Sequence, residues 1–371
     1  MIDIKKKVLL ASFTTFKIGG PAKYFCEVEN QFDALSAFEF AKEKNAAVLL
    51  LGRGSNMLIS DEGFDGLVMR IVNKGIEIIS DESGSRMESG MTESVLLKAA
   101  SGEKWDEVIK FAVSNNWWGI ENLSHIPGSV GAIAVQNVGA YGQEAKNVIA
   151  SVTVFDVNDL SIKNLKAEEC GFGYRSSIFN STQKGRYIIF FITFKLSKTP
   201  CPILEYRDLK QRFSSGKPSI HDIRKAIIEI RDKKYPFPVK AKKGNAGSFF
   251  KNPVLNNRQF NDLKALLEQN FGHHTAEKLG SRVFRENGKF KVPAAFLLDI
   301  CGLKDITEGG AKINHNQPLV IINETGKAMA KDVLALAKRV LKSVYDKTNI
   351  KLNIEPELVG FSQNELKTFD S

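Results

Sequence analysis

With 371 residues, 43% of them hydrophobic and 25% charged, the chain has an ordinary globular composition and the length of two or three domains. No apolar run approaches a membrane span, and residues 8–11, behind the basic start "MIDIKKK", are too few for a signal-peptide core, so a cytoplasmic protein with no membrane partner is expected. The net charge of +10 is spread without a long basic block, which argues against nucleic acid and leaves two readings, a solvated basic surface or one that draws in small polyphosphate substrates.

Residues 31–46 place Phe32, Leu35, Phe38 and Ala41 at helical spacing, and "AAVLLLGRGSN" reads as a buried strand running into a glycine turn. "GLVMRI" (66–71) and "GIEII" (75–79) predict strands. "ESVLLKAASGEKWDEVIKFAVSNN" predicts a strand and then a helix with Trp105, Val108, Ile109 and Ala112 on one face. A glycine-rich segment follows at 126–142, then strands at 151–157 and 185–196. Near residue 200 the character changes: Pro200, Pro202 and "SSGKPS" (214–219) mark a connector. "SIHDIRKAIIEIRDKK" has a Ser219/Asp222 cap pattern, then Ile223, Ala226, Ile227 and Ile230 at helical spacing. Helices are predicted near 258–269, 293–301 and 328–346, the last with Val333, Leu336, Val340 and Val344 on one face, and "PLVIIN" (318–323) predicts a strand. Residues 270–292 match no usable pattern. Cys26, Cys170, Cys201 and Cys301 form no CxxC pair and are expected as reduced thiols, and the histidines lack metal-ligand spacing, so no metal is expected.

Three stretches carry chemistry. In "LGRGSN", Gly52, Arg53, Gly54, Ser55 and Asn56 follow an apolar strand. Two glycines permit the backbone angles that turn successive N–H groups toward one anion, although plain strand-ending turns look the same. The spacing fits neither GxGxxG nor GxxxxGK[ST], so Rossmann and Walker sites are excluded. "IPGSVGAIAVQNVGAYG" mixes Gly128, Gly131, Gly139 and Gly142 with small and β-branched residues. So bare a segment must find partners for its backbone, either in a bound planar, polar-edged ligand or in tight packing on the core. In "GNAGSFFKNP", Ser248 sets a small hydroxyl between bare backbone and two phenylalanines.

These stretches, with "FTTFKIGGPA", "GIENLSHIPGSVGAIAVQNVGAYG", "CGFGYRSSIF", "LLDICGLK", "GGAKINHNQPLVIIN" and "IEPELVGF", occur in family order, and the chain resembles the UDP-N-acetylenolpyruvoylglucosamine reductases over essentially its whole length. The resemblance implies an α+β protein: a two-part FAD-binding unit of the vanillyl-alcohol-oxidase (PCMH) type, at 1–72 and 73–199, then a substrate domain at 200–371. It implies noncovalent FAD, with Gly52–Asn56 of "LGRGSN" at the pyrophosphate and Ile126, Pro127, Gly128, Ser129, Gly131, Gly139 and Tyr141 near the flavin. NADPH is the implied co-substrate, and no obligate protein partner is expected. The implied reaction reduces the enolpyruvyl ether of a UDP-sugar to UDP-N-acetylmuramate, a step of peptidoglycan precursor synthesis.

By the same resemblance Arg175 meets the substrate carboxylate, Ser248 gives a proton to the α-carbon and Glu357 stabilises the enol-like intermediate. A guanidinium suits the first role because its fork is rigid and always charged. Glu357 needs a proton at the key moment, which burial favours. Strand alternation would put Glu355 on the same face, so only the resemblance prefers Glu357. Tyr206, Lys234 (with Lys233 as its neighbour), Asn252 and Gln317 are the implied substrate contacts, Tyr206 lying on a loop that closes over the substrate. A flavin oxidase of another substrate and a non-catalytic nucleotide-sugar binder are the alternatives; rapid reoxidation by oxygen alone would mark the first, and the presence of all three catalytic residue types argues against the second.

Overall fold

Asn30 starts the first long helix: its side chain accepts hydrogen bonds from the Phe32 and Asp33 amides, and the helix runs Gln31–Glu43. The face it buries is Ala34, Ala37 and Ala41, whereas Phe32 is 70% exposed. The expected stripe is thus corrected at its first member; small residues let the helix backbone approach its neighbours closely, and Phe32 points off that line. The computed structural model describes residues 2–81, 93–214, 216–234, 243–286, 288–367 and 369, so Ser215 of the expected connector lies outside the described residues.

Two units form. The first comprises Met1–Val8, Ala22–Arg53 and Asp65–Phe237, the second Leu9–Pro21, Gly54–Phe64 and Pro238–Ser371.

In the first unit one sheet has the order Lys5–Leu9, Pro21–Val28, Phe64–Ile71, Ala47–Leu51, the last pair parallel. An antiparallel sheet has the order Ser161–Lys166, Ile149–Asp156, Tyr187–Ser197, Ser94–Ala100, Ile76–Asp81. The helix Trp105–Ser114 buries Trp105, Val108, Ile109 and Ala112 as its spacing predicts. Ser219 and Asp222 cap the helix Ile220–Lys234 reciprocally, and its Ile223, Ala226 and Ile227 join the same core. Leu209 of the short helix Arg207–Arg212 is buried there too. The segment after residue 200, set apart by its prolines, therefore packs in the first unit. An apolar face decides core membership; local composition does not.

The second unit is built around the helix Ala330–Thr348, with Val333, Leu336, Val340 and Val344 all buried. Its sheet has the order Asn245–Ser248, Val320–Asn323, Ala311–Ile313, Thr307–Glu308, antiparallel throughout. Residues 270–292 form the helix His273–Gly280 and the hairpin Phe284–Glu286/Lys289–Lys291, which Val254–Leu255 extends to three strands. Finally Glu357–Val359 pairs in parallel with Met57–Ile59, bringing the "EPE" segment beside the first glycine turn. Antiparallel sheets with helices set against them make the class α+β.

Candidate active site

Immediately before the glycine-rich segment stands His125, whose backbone is left-handed at φ 61°. Asp106 accepts its N–H at 2.6 Å, Arg231 Nε donates to its carbonyl at 2.9 Å, and its Nε2 stands 2.8 Å from Asp232. Arg224 holds Asp106 through Nη1 and Nη2 at 2.8 and 2.9 Å. The helix ending in Lys234 is thereby fastened to the start of this segment.

Much of the segment's backbone is paired within the protein. Gly128 O accepts from the Trp105 amide, and the Val130 and Gly131 amides donate to Glu103 and Ser101 carbonyls. At the far end Gly139–Ala140 and Gln143–Glu144 form a hairpin whose turn residues, Tyr141 at φ 50° and Gly142 at φ 85°, are both left-handed. That geometry matches the twist of the flanking strands.

Two glycines let the backbone approach protein side chains more closely than a Cβ would allow. A Cβ on Gly52 would stand 2.5 Å from Ser129 Oγ, and one on Gly131 would stand 2.7 Å from Ser101 Oγ. Ser101 Oγ is buried and has no hydrogen-bond partner among the described residues. Burial, with Arg70 adding to it, pulls the Arg53 guanidinium below the ordinary arginine range, a cost that an anionic pyrophosphate would offset. An unmet buried hydroxyl and a part-desolvated cation fit FAD. In the second unit, Gly54 has φ 56°, and a Cβ there would stand 2.4 Å from the Phe13 carbonyl oxygen. Only glycine fits.

Arg175 occupies the second position of a two-residue turn closed by Gly173 and Ser176, with φ 53°. Left-handed backbone at a non-glycine residue costs about 1–3 kcal/mol and collects at functional sites. Arg175 Nη2 donates to the Gly139 carbonyl at 3.1 Å, so the arginine rests on the glycine-rich hairpin. Tyr206 also reaches that hairpin: its ring lies 5.0 Å from that of Tyr141, edge to face. Lys234 Nζ stands 5.5 Å from the Tyr141 ring and 5.9 Å from the Tyr206 ring, and pairs with Asp208 at 2.5 Å. Burial pushes the Tyr206 phenol above the ordinary tyrosine range. Asp208 escaped the sequence reading, since it gave no sign that Lys234 would find a carboxylate on the neighbouring helix.

In the second unit Ser248 ends the strand Asn245–Ser248, opposite Val320. The register slips between Asn245 and Ser248, where Gly247 has φ 74° and its N–H donates to Asn245 Oδ1 at 3.0 Å. Such a bulge re-aims the side chain that follows it. Phe249 and Phe250 are core residues, 0% and 1% exposed. Glu355 lies outside the strand Glu357–Val359, so the alternation expected of the pair does not apply. The Glu355 amide donates to the Phe249 carbonyl and the Glu357 amide to the Asn56 carbonyl. Pro356, which has no N–H, stands between them, just before the strand Glu357–Val359 begins. Asn56 Nδ2 reaches the Glu355 carbonyl at 3.3 Å. Asn252 Oδ1 accepts from the Ala294 amide at 2.9 Å, and Gln317 lines an open pocket with Arg282, Phe296, Asp299 and Lys304.

A family model for an FAD binding domain matches residues 22–163. Together with the unmet Ser101 hydroxyl and the part-desolvated Arg53, this defines a flavin-dependent oxidoreductase. A second model, for the C-terminal domain of UDP-N-acetylenolpyruvoylglucosamine reductase, matches residues 238–359. The reductase of that name from Pseudomonas fluorescens (strain Pf0-1) is 33% identical over 358 residues, 96% of this chain and 98% of the relative. That of Neisseria meningitidis serogroup A is 36% identical over 360 residues, 96% and 97% of the two chains. The crystal structure of the Thermus caldophilus reductase shares the fold, with TM-score 0.64 and 24% identity over 97% of this chain and all of that one. The chain belongs to the UDP-N-acetylenolpyruvoylglucosamine reductase family.

Proposed function

We infer that this protein reduces the enolpyruvyl ether of UDP-N-acetylglucosamine enolpyruvate to the lactyl ether of UDP-N-acetylmuramate, in peptidoglycan precursor synthesis. Family membership over 96% of the chain carries the reading. When bound, FAD supplies hydride chemistry, charged by NADPH. The remaining work falls to the chain's own residues. Hydride arrives at the terminal carbon of the enol ether, and negative charge then spreads over the α-carbon and the adjoining carboxylate. Arg175, a fixed cation on the glycine-rich hairpin, stabilises that carboxylate as its charge grows. Ser248 delivers a proton to the α-carbon, its small side chain allowing a close approach. Glu357 assists as the carboxyl that steadies the enol-like intermediate.

Gly52, Arg53, Gly54, Ser55 and Asn56 take the FAD pyrophosphate, and Ile126, Pro127, Gly128, Ser129, Gly131, Gly139 and Tyr141 line the flavin. Tyr206 and Lys234 hold the UDP-sugar diphosphate; Lys234 exchanges its bond to Asp208 for the phosphate, both being charge-assisted. Asn252 and Gln317 complete the substrate contacts. In domain terms, 1–72 and 73–199 serve FAD and 200–371 the substrate. We place the reaction in the cytoplasm, with NADPH and the UDP-sugar as its only partners; no helix among the described residues is long and apolar enough to cross a membrane, and all four cysteines are free.

The decisive test is optical. Purified protein should be yellow, NADPH should bleach it without oxygen, and the enolpyruvyl UDP-sugar should restore the colour. Reduced flavin that reoxidises only with oxygen would overturn the reading.

A further inference from the structure

Asn122 lies in the single-turn helix Glu121–Leu123 and is 1% exposed. Its Nδ2 donates to two carbonyls, Tyr141 O at 2.8 Å and Ile203 O at 2.8 Å. A primary amide has two N–H groups, and each serves a different segment. Tyr141 forms the turn of the glycine-rich hairpin, and Ile203 stands three residues before Tyr206. The two segments press together beside the clamp: a Cβ on Gly142 would stand 3.1 Å from Ile203 Cγ2. Just beyond it lie the Tyr141–Tyr206 ring pair and Lys234.

We propose that Asn122 is a positioning residue for substrate binding, whose one amide fixes the root of the Tyr206 segment to the Tyr141 turn and so sets the spacing of the tyrosine pair and Lys234. The inference rests on reading Tyr206 and Lys234 as substrate contacts. It requires that any closing movement of Tyr206 pivots after Ile203. No one-donor side chain spans both carbonyls, and a buried carbonyl that loses its donor is costly. Asn122→Asp keeps the shape while setting one carboxylate oxygen against both carbonyls. Asn122→Ala removes the clamp without adding charge.

Both variants are compared with wild type as FAD-loaded protein by hydrogen–deuterium exchange and steady-state kinetics. Amides at 203–206 should exchange faster, while those of Tyr187–Ser197 and Ile220–Lys234 keep wild-type protection. KM for the enolpyruvyl UDP-sugar should rise about tenfold, with kcat and flavin reduction by NADPH little changed. Unchanged exchange at 203–206, or unchanged KM in either folded variant, overturns the proposal. So does a general loss of protection in which kcat falls together with affinity, the mark of a merely structural residue. If one variant fails to fold, the other decides. A wild-type protein that never turns over the UDP-sugar defeats the functional reading instead, and the exchange data still decide whether the clamp exists.

Discussion

Ser248 follows a left-handed glycine at a strand bulge, and the next residues, Phe249 and Phe250, are buried. If the hydroxyl acts only after hydride has left the flavin, Ser248→Ala should bind FAD and accept electrons from NADPH normally. Substrate-driven reoxidation should fall roughly 10²–10⁴-fold, the usual loss of a positioned acid. Stopped-flow absorbance separates the two half-reactions, and near-normal reoxidation removes Ser248 from the role. The glutamate assignment needs a paired experiment, because the amides of Glu355 and Glu357 donate to different segments, at Phe249 and Asn56. Glu357→Gln should lose more of the same reoxidation step than Glu355→Gln; equal losses, or the reverse order, transfer the role. A third carboxyl bears on stability. Burial pushes Glu121, which is 2% exposed, above its ordinary value of 4.5, and its Oε2 accepts the Gly119 amide. A raised folded value means that its stabilisation is complete below 4.5 and is lost as pH rises through the folded value. Glutamine can accept the same amide without ionising. Glu121→Gln should therefore melt higher than wild type at neutral pH, by a margin that shrinks on acidification. A margin independent of pH contradicts this.

Elements with a sustained period were legible in the sequence; those defined by partners far along the chain were not. The helix Ala330–Thr348 announces itself because Val333, Leu336, Val340 and Val344 keep one face over several turns. The hairpin at 284–291 has three-residue strands, too short to show alternation. Asn122 gives no local signal either, since its partners lie 19 and 81 residues away. The motifs named the candidate residues through resemblance, but not the Asp208 partner of Lys234 or the strain at Arg175. The segment carrying Tyr206 shows the same limit: its prolines suggest a loose connector, yet Leu204, Tyr206 and Phe213 pack against the first unit's core. That packing sharpens the expectation for Tyr206. Removing the ring in Tyr206→Ala should lower Tm by a few degrees even without ligand, as half-buried large-to-small changes do. Tyr206→Phe keeps the ring against Tyr141 and should hold Tm while losing substrate affinity. Melts without ligand, beside substrate titrations, check both; a Phe variant with wild-type affinity shows that the hydroxyl touches no substrate.

At the scale of the whole molecule the open question is the charge. The net charge of +10 admits either a solvated surface with no task or a field that gathers anions. Many of the basic side chains are already paired on the surface, as Lys23 with Asp65 and Lys342 with Asp346, and exposed pairs of this kind contribute little to stability. What survives pairing is the excess, and it acts at a distance. Both proposed substrates are polyanions, NADPH through its phosphates and the UDP-sugar through its diphosphate and carboxylate. A positive field would raise their rate of encounter without altering chemistry once they are bound. Salt separates the two readings, because screening shortens the reach of the field to about 10 Å at 0.1 M. If the field steers, kcat/KM for the UDP-sugar should fall steadily as sodium chloride is raised, while kcat at saturation stays nearly constant. Viscosity offers a control: an encounter-limited kcat/KM also falls in sucrose, whereas one limited by chemistry does not. The local alternative is that salt merely competes with Lys234 for the diphosphate. Lys234→Gln distinguishes them, since a field produced by the whole surface leaves most of the salt slope intact in that variant. A flat salt profile in the wild type would assign the excess charge to a solvated surface, and loss of the slope in the Lys234 variant would assign the effect to that one side chain.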